Sequence, residues 1–222
     1  MIIDFKFDEK YVVIVGGGAE AYKKTLSFLD AGSKILVASR TFTSGIKKLH
    51  QEKKINLLKI YIKNGETFFN QLKPKPDLLA VATNNQKLND QLSKRARSAG
   101  CMVYVADNPS ISDFILPAVS RIGEVRIAMS TGGKSPAMAK VLRQRVERLI
   151  TQEDLLQIKL QNYIRAILKQ QIADQKLRKK IIYKILKDKD VKNLLKNDNF
   201  DEAQRVALKI MKNFQDNKEA LQ

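Results

Sequence analysis

The chain has 222 residues, 44% of them hydrophobic, which is enough to bury a sizeable core and excludes a disulfide-stapled miniprotein or a disordered tail. Its 41 Lys and Arg against 23 Asp and Glu give a net charge of +18, so we expect an anionic partner. A single cysteine and a single histidine exclude an intrachain disulfide and a His/Cys metal cluster. We therefore expect no bound metal.

The hydropathy of the sequence also limits where we expect the protein to act. No apolar run approaches the roughly 18 residues that a membrane span needs, and the segment Met1–Lys6 lacks the apolar region of a signal peptide. We expect a cytoplasmic protein that does not bind a membrane. Because the chain has no Trp and its basic residues are scattered, we also expect no nucleic-acid partner.

The first 106 residues alternate short apolar runs with helical stretches, which is typical of a parallel sheet covered on both faces. Five runs with four intervening segments predict an α/β domain with a doubly wound parallel sheet over residues 1–112. The predicted strands are Tyr11–Val15, Lys34–Ala38, Asn56–Tyr61, Asp77–Ala82 and Cys101–Val105.

From residue 113 the pattern changes. The apolar runs Phe114–Ser120 and Glu124–Ser130 flank a short turn with no helix between them, which predicts a β-hairpin. Ser135 and Pro136 then predict the N-cap and first residue of a helix that reaches about residue 150.

We interpret residues 113–150 as a small α+β dimerisation region, because two strands are too few to bury both of their faces within one chain. We therefore expect a homodimer whose core includes residues 113–130. Residues 151–222 contain neither Gly nor Pro, and their apolar residues suit packed helices. The sequence predicts a C-terminal helical domain there, without indicating its function.

The segment Gly16-Gly17-Gly18-Ala19-Glu20-Ala21 directly follows the first predicted strand and opens a helix, so it fits G-x-G-x-x-A. Gly16 and Gly18 would permit a tight turn and the close approach of a pyrophosphate, which then meets free N–H groups of the helix. The alternative is that the glycines only make a tight turn. The repeated strand-helix context favours a Rossmann-type nucleotide site.

The second predicted strand ends at Ala38-Ser39-Arg40-Thr41, where an NAD-specific fold usually has Asp or Glu for the ribose hydroxyls. Arg40 could meet a 2′-phosphate, which favours NADP, or it could lie over the adenine while backbone groups bind NAD. A solvated arginine is the third interpretation. The residues alone leave the choice of cofactor open.

Polar residues also follow the fourth and fifth predicted strands. Ligands in open α/β sheets bind outside the carboxyl ends of the strands, so we predict Thr83 to be a cofactor-binding residue. By the same argument Asp107 is the carboxylate best placed to act on a substrate that lies beside a nucleotide. Its alternative role is an Asx-turn ahead of Pro109.

The segment from Ser130 to Pro136 combines a Gly-Gly pair, a lysine and hydroxyls with a helix start, which predicts an anion-binding nest. It is not a Walker A motif, because the first glycine of that motif is missing at the required spacing. We predict that the substrate-binding residues are Thr131, Gly132, Gly133 and Lys134.

Four segments carry a resemblance to a known family, in order along essentially the whole chain. They are Val13–Gly18, Ala82–Asn84, Asp107–Pro109 with Phe114–Ala118, and Ser130–Pro136 with Leu142-Arg143. Together they resemble the precorrin-2 dehydrogenase module of siroheme synthases. The last two segments are far more specific than the glycine loop.

The resemblance implies an oxidoreductase that converts precorrin-2 to sirohydrochlorin with NAD, a step of siroheme and porphyrin biosynthesis. In some members it implies a ferrochelatase activity as well, with Fe²⁺ as substrate. The implied cofactor contacts fall on Ala19, Glu20, Arg40 and Thr41, and the essential aspartate falls on Asp107. The charge of +18 suits a tetrapyrrole that carries eight carboxylates.

Thr131 stands where bacterial members of this family have a serine, and it keeps the hydroxyl. An alternative function is an NAD-sensing module without catalysis. That module would account for the glycine loop and the charge, but it gives no reason for Asp107 or for the segment 130–136.

Overall fold

The computed structural model describes residues 2–219, with side chains described through residue 214. The chain forms two compact units, Met1–Leu116 and Pro117–Gln222. The predicted parallel sheet, hairpin and C-terminal helices are all confirmed.

The first unit is built on a five-stranded sheet in the order β3-β2-β1-β4-β5, and every neighbouring pair of strands is parallel. The strands β1, β4 and β5 are short, apolar and largely buried, which suits the centre of a sheet covered on both faces, whereas the edge strand β3 is mostly exposed. The strands are β1 Tyr11–Val15, β2 Lys34–Ser39, β3 Asn56–Lys59, β4 Leu78–Val81 and β5 Met102–Val105.

Four helices cover the two faces of this sheet. Because side chains alternate along a strand, Val12 and Ile14 of β1 lie in one core cluster, with Phe28. Val13 lies in the opposite cluster, with Phe69. The helices are α1 Ala19–Asp30, α2 Ser44–Gln51, α3 Gly65–Gln71 and α4 Gln86–Ser98.

The order of the strands positions the site. The central strand β1 has β2 on one side and β4 on the other, so the chain direction across the sheet reverses beside β1. In doubly wound sheets this reversal opens a crevice outside the carboxyl ends of the two strands. The glycine segment 16–18 begins at that point.

The predicted strand over Phe114–Ser120 is wrong in its first four residues. The structure begins this strand only at Ala118. Phe114 and Leu116 pack instead against the α1 side of the sheet, where the Phe114 ring centroid lies 5.7 Å from that of Tyr104. Pro117 has no N–H to donate to a strand partner, which suits it to the residue just before the strand.

The second unit begins with an antiparallel hairpin of β6 Ala118–Ile122 and β7 Val125–Met129. Gly123, with a φ of +54°, makes the turn between the strands. Helix α5 (Pro136–Glu147) packs against both strands. Arg143 links α5 to β6, because its guanidinium donates to the Oγ of Ser120 over 2.9 Å.

Four helices complete this unit around an apolar core of their own. Fully buried side chains from different helices meet there, including Leu160, Ile164, Ile181 and Ile185. The helices are α6 Gln152–Gln171, α7 Gln175–Lys187, α8 Lys189–Lys196 and α9 Phe200–Glu219. Over the described part of the chain, none of the helices combines the length and apolar character needed to cross a membrane.

Candidate functional site

A cleft of about 510 Å³ opens in the first unit at the carboxyl ends of β1, β2 and β4. Among the described residues that line it, none is acidic. The lining residues are Val15–Gly18, Ala38–Arg40, Ile60–Lys63, Ala82–Asn85 and Leu88. The predicted cofactor residues Gly16, Gly18, Arg40 and Thr83 therefore share one cleft, whereas Ala19, Glu20 and Thr41 are their direct chain neighbours.

The three glycines of this cleft have different roles. Gly16 has a φ of +134°, and a Cβ there would clash with the carbonyl oxygen of Ala82. A Cβ on Gly17 would clash with the carbonyl oxygen of Thr41. A Cβ on Gly18 would meet no atom within 4 Å. The first two glycines let the loop press against neighbouring backbone, and the third leaves space open for a ligand.

Backbone hydrogen bonds hold this glycine loop to the end of β2. The N–H of Gly16 donates to the carbonyl of Ala38 over 3.0 Å, and the N–H of Thr43 donates to the carbonyl of Gly17 over 2.9 Å. The loop is therefore fixed before any ligand arrives, which lowers the entropic cost of binding.

Helix α1 starts at this loop with Gly18 as its N-cap, and no side chain caps its first turn. Its first N–H groups therefore carry partial positive charge without a side-chain partner, which favours a bound phosphate. Glu20 does not compete for them, because its carboxylate pairs with Lys24 over 3.2 Å and Lys23 over 3.4 Å. Although partial burial opposes the effect, these two lysines lower the pKa of Glu20.

Arg40 is exposed immediately after β2, and its guanidinium carbon lies 5.9 Å from the ring centroid of Tyr61. Tyr61 and Lys63 follow β3, the next strand in the sheet, and both line the cleft. Sequence analysis overlooked these two residues. The predicted strand Asn56–Tyr61 runs two residues too far, because β3 ends at Lys59. Tyr61 was therefore assigned to the strand itself, and Lys63 lies just beyond it.

Thr83 is held in place by Asn89 of α4. The Thr83 hydroxyl donates to the Asn89 side-chain oxygen over 2.5 Å, and the Asn89 side-chain amide donates to the Thr83 carbonyl over 3.0 Å. Asn89 is only 2% exposed. Sequence analysis also missed Asn89, although a buried amide on the inner face of a helix indicates a specific hydrogen-bond partner.

Asp107 lies in the turn that follows β5, with an exposed side chain. The carboxylate has no hydrogen bond or ion pair with any described residue. The Asx-turn at this point is made by Asn108 instead, whose side-chain oxygen accepts from the Ser110 N–H over 3.2 Å. Asp107 does not line the cleft, but β5 neighbours β4, so it lies at the same edge of the sheet as Thr83.

In the second unit, residues 130–135 form a tight loop ahead of α5. The hydroxyl of Thr131 accepts from the Ser135 N–H over 3.0 Å. Gly132 and Gly133 have φ values of +61° and +81°, and a Cβ on either would meet no atom within 4 Å. The N–H of Gly132 donates to the Ser130 hydroxyl over 3.2 Å, and the N–H of Lys134 donates to the Thr131 carbonyl over 3.2 Å. These N–H groups are bonded within the loop, so an anion here would meet mainly the exposed Lys134 side chain.

The described residues contain no group of three or more His, Cys, Asp and Glu side chains that could hold a metal ion. Cys101 is buried, and this burial raises the pKa of its thiol to about 12. A thiol with such a pKa is neither a ligand nor a nucleophile at neutral pH. Cys101 is thus a core residue.

Comparison with known proteins identifies the family. Residues 3–118 match a family model described as "Putative NAD(P)-binding", and residues 123–149 match "Sirohaem biosynthesis protein central". The "Putative precorrin-2 dehydrogenase" of Methanocaldococcus jannaschii is 31% identical over 192 residues, which cover 86% of this chain and 91% of that protein. The chain belongs to the precorrin-2 dehydrogenase family.

Other relatives agree with this membership. The "Precorrin-2 dehydrogenase" of Methanosarcina barkeri is 29% identical over 91% of this chain and 89% of its own length. The "Siroheme synthase" of Nitrosomonas eutropha is 35% identical over 64% of this chain, but the match covers only 29% of that larger protein. The resemblance found in the sequence is therefore confirmed.

A solved structure supports the fold. "SirC, precorrin-2 dehydrogenase" superposes with a TM-score of 0.75 over 94% of this chain and 99% of that chain, at 20% sequence identity. The family membership also establishes the first unit as an NAD(P)-binding domain, with its glycine loop in the matched region. The fold and the nicotinamide cofactor thus agree with the cleft geometry.

Proposed function

We propose that this chain is an oxidoreductase that converts precorrin-2 to sirohydrochlorin in siroheme biosynthesis, with NAD as the hydride acceptor. The cleft at Gly16–Gly18 carries the proposal, because it combines an open space at Gly18 with an uncapped helix N-terminus. The match to precorrin-2 dehydrogenases along most of the chain supplies the substrate.

The residues of the cleft fit a dinucleotide. In this proposal the N–H groups at the start of α1 bind the pyrophosphate, and the end of β2 receives the adenosine half. The other half then extends towards the end of β4, where Asn89 fixes Thr83. Bound NAD supplies a carbon that accepts a hydride from the substrate.

The protein supplies the remaining chemistry. Precorrin-2 loses one hydride and one proton when it becomes sirohydrochlorin, so a base must take the proton. In our proposal this base is Asp107, whose carboxylate is exposed and has no partner among the described residues. In our proposal Lys134 binds a substrate carboxylate through its exposed ammonium group, and Thr131, Gly132 and Gly133 shape the loop that presents it.

The decisive experiment is an anaerobic incubation of the purified protein with precorrin-2 and NAD. We expect the absorbance of NADH to rise as sirohydrochlorin forms. A parallel reaction with Fe²⁺ as a second substrate tests whether iron insertion follows. Binding of NAD without any turnover of precorrin-2 would contradict the proposal and favour the non-catalytic NAD-sensing module.

We also propose a homodimer formed through the β6–β7 hairpin. Val119 is 56% exposed on the face of the hairpin opposite Ser120, the residue that bonds to α5. Met138 and Val141 of α5 and the nearby Leu149 are exposed as well. Because α5 packs on the Ser120 side of the hairpin, the proposed interface is the opposite face, where an exposed apolar residue such as Val119 would gain from burial.

Light scattering at micromolar concentration tests the dimer. We expect a mass of twice the 25.2 kDa chain for the wild type. Val119→Glu places a charge in the apolar interface and should shift the protein to monomer, whereas Lys94→Glu on the exposed surface of α4 should not. A monomeric wild type would refute the dimer.

A further inference from the structure

The adenosine end of the cleft carries positive charge and no described acidic side chain. We infer that the cleft accepts NADP as well as NAD, and that Arg40 is the residue that receives the 2′-phosphate of NADP. The inference rests on the proposed function of the cleft as a dinucleotide site. It adds a second hydride acceptor and names the residue that admits it.

The position of Arg40 in the sheet is the first argument. A pyrophosphate at Gly16–Gly18 lies at the end of β1, and β2 is the adjacent strand. The ribose of the adenosine half therefore reaches the end of β2, where NAD-specific sites have a carboxylate that binds both ribose hydroxyls. Here the chain has Ser39 and Arg40, so no carboxylate at this position repels a 2′-phosphate.

The surroundings of Arg40 are the second argument. Its guanidinium forms no hydrogen bond or ion pair with any described residue, so its donors remain available to a ligand. The ring centroid of Tyr61 lies 5.9 Å from the guanidinium carbon, within cation–π range, and both residues line the cleft. A free guanidinium can bind phosphate oxygens through two parallel hydrogen bonds.

A second cation reinforces the same region. Lys63 lines the cleft beyond β3, which neighbours β2 in the sheet. Thr41 adds an exposed hydroxyl directly after Arg40. Two positive charges and a hydroxyl form a set that suits a doubly charged phosphate better than a bare ribose hydroxyl.

The same geometry leaves room for NAD. The contacts to the pyrophosphate come from backbone N–H groups and the helix N-terminus, and they are identical for both dinucleotides. Arg40 is exposed, so it stays solvated when no phosphate is present. The cleft therefore has no feature that rejects NAD, and dual use is the expected behaviour.

Calorimetric titration of the full chain measures this directly. We expect wild-type dissociation constants for NADP and NAD within about tenfold of each other. Arg40→Ala should weaken NADP by about 10- to 100-fold more than it weakens NAD, the usual range for a hydrogen bond to a charged group. Lys94→Ala, which removes an exposed cation on α4, is the matched control and should change neither.

Two smaller ligands that differ only in the 2′-phosphate test the contribution of that group to binding. Adenosine 2′,5′-bisphosphate should bind the wild type more tightly than AMP, and Arg40→Ala should remove the difference. An NADP affinity about 1,000-fold below that of NAD, or an equal loss of both in Arg40→Ala, would overturn the inference. Tight binding of both dinucleotides without precorrin-2 turnover would instead overturn the proposed function and leave the assignment of Arg40 intact.

Discussion

Replacing Asp107 with alanine should lower the turnover of precorrin-2 by a factor of about 10² to 10⁴, the usual contribution of a general base. The affinity for NAD should hardly change, because Asp107 does not line the dinucleotide cleft. No histidine is available as a substitute base. His50, the single histidine, lies near the end of α2, at the edge of the sheet opposite the strand carboxyl ends.

Asp107→Asn is the sharper variant, since it keeps the size of the side chain and removes only the ability to take a proton. Both variants should stay folded, because the turn after β5 is held by Asn108 and not by Asp107. Glu66→Ala removes an exposed carboxylate on α3 and is the matched control. Turnover within a few-fold of wild type in both Asp107 variants would refute its role as the base.

The parallel sheet was predictable because its central strands are buried on both faces and appear as continuous apolar runs. Tyr11–Val15 is the clearest case, with predicted and observed bounds identical. The hairpin strand was harder to place. Phe114 and Leu116 extend the apolar run of β6 in the sequence, but they pack against the first unit, and only tertiary contacts decide that.

The residues of the candidate site also differ in whether the sequence alone could predict them. The glycine loop and the strand ends follow local rules, so Gly16, Gly18, Arg40 and Thr83 could be predicted as site residues from the sequence, and the structure brings them to one cleft. Asn89 could not be found in this way, because its partner Thr83 is recognised only after the helix has packed against the strand end. The exchange of roles between Asp107 and Asn108 in the turn was equally invisible, since either residue type can form an Asx-turn.

Gly18→Asp should abolish dinucleotide binding while leaving the fold as stable as the wild type or slightly more so. Gly18 has a φ of −85°, which any residue adopts, and a side chain there would enter open space. It is also the N-cap of α1, a position at which aspartate is among the best residues. The carboxylate would thus satisfy the N–H groups that the pyrophosphate needs.

The loss of affinity should be large. Two like charges about 4 Å apart at an effective dielectric constant near 20 repel by about 4 kcal/mol. A repulsion of this size raises the dissociation constant of the dinucleotide more than 100-fold. Gly18→Ala adds an uncharged methyl group to the space proposed for the pyrophosphate and should weaken binding by less than Gly18→Asp does. Gly16→Ala should behave in the opposite way and lower the thermal stability, because it combines a φ of +134° with a clash against Ala82. Unchanged NAD binding in Gly18→Asp, measured by calorimetry alongside the thermal melt, would place the pyrophosphate elsewhere and leave the glycines as a tight turn alone.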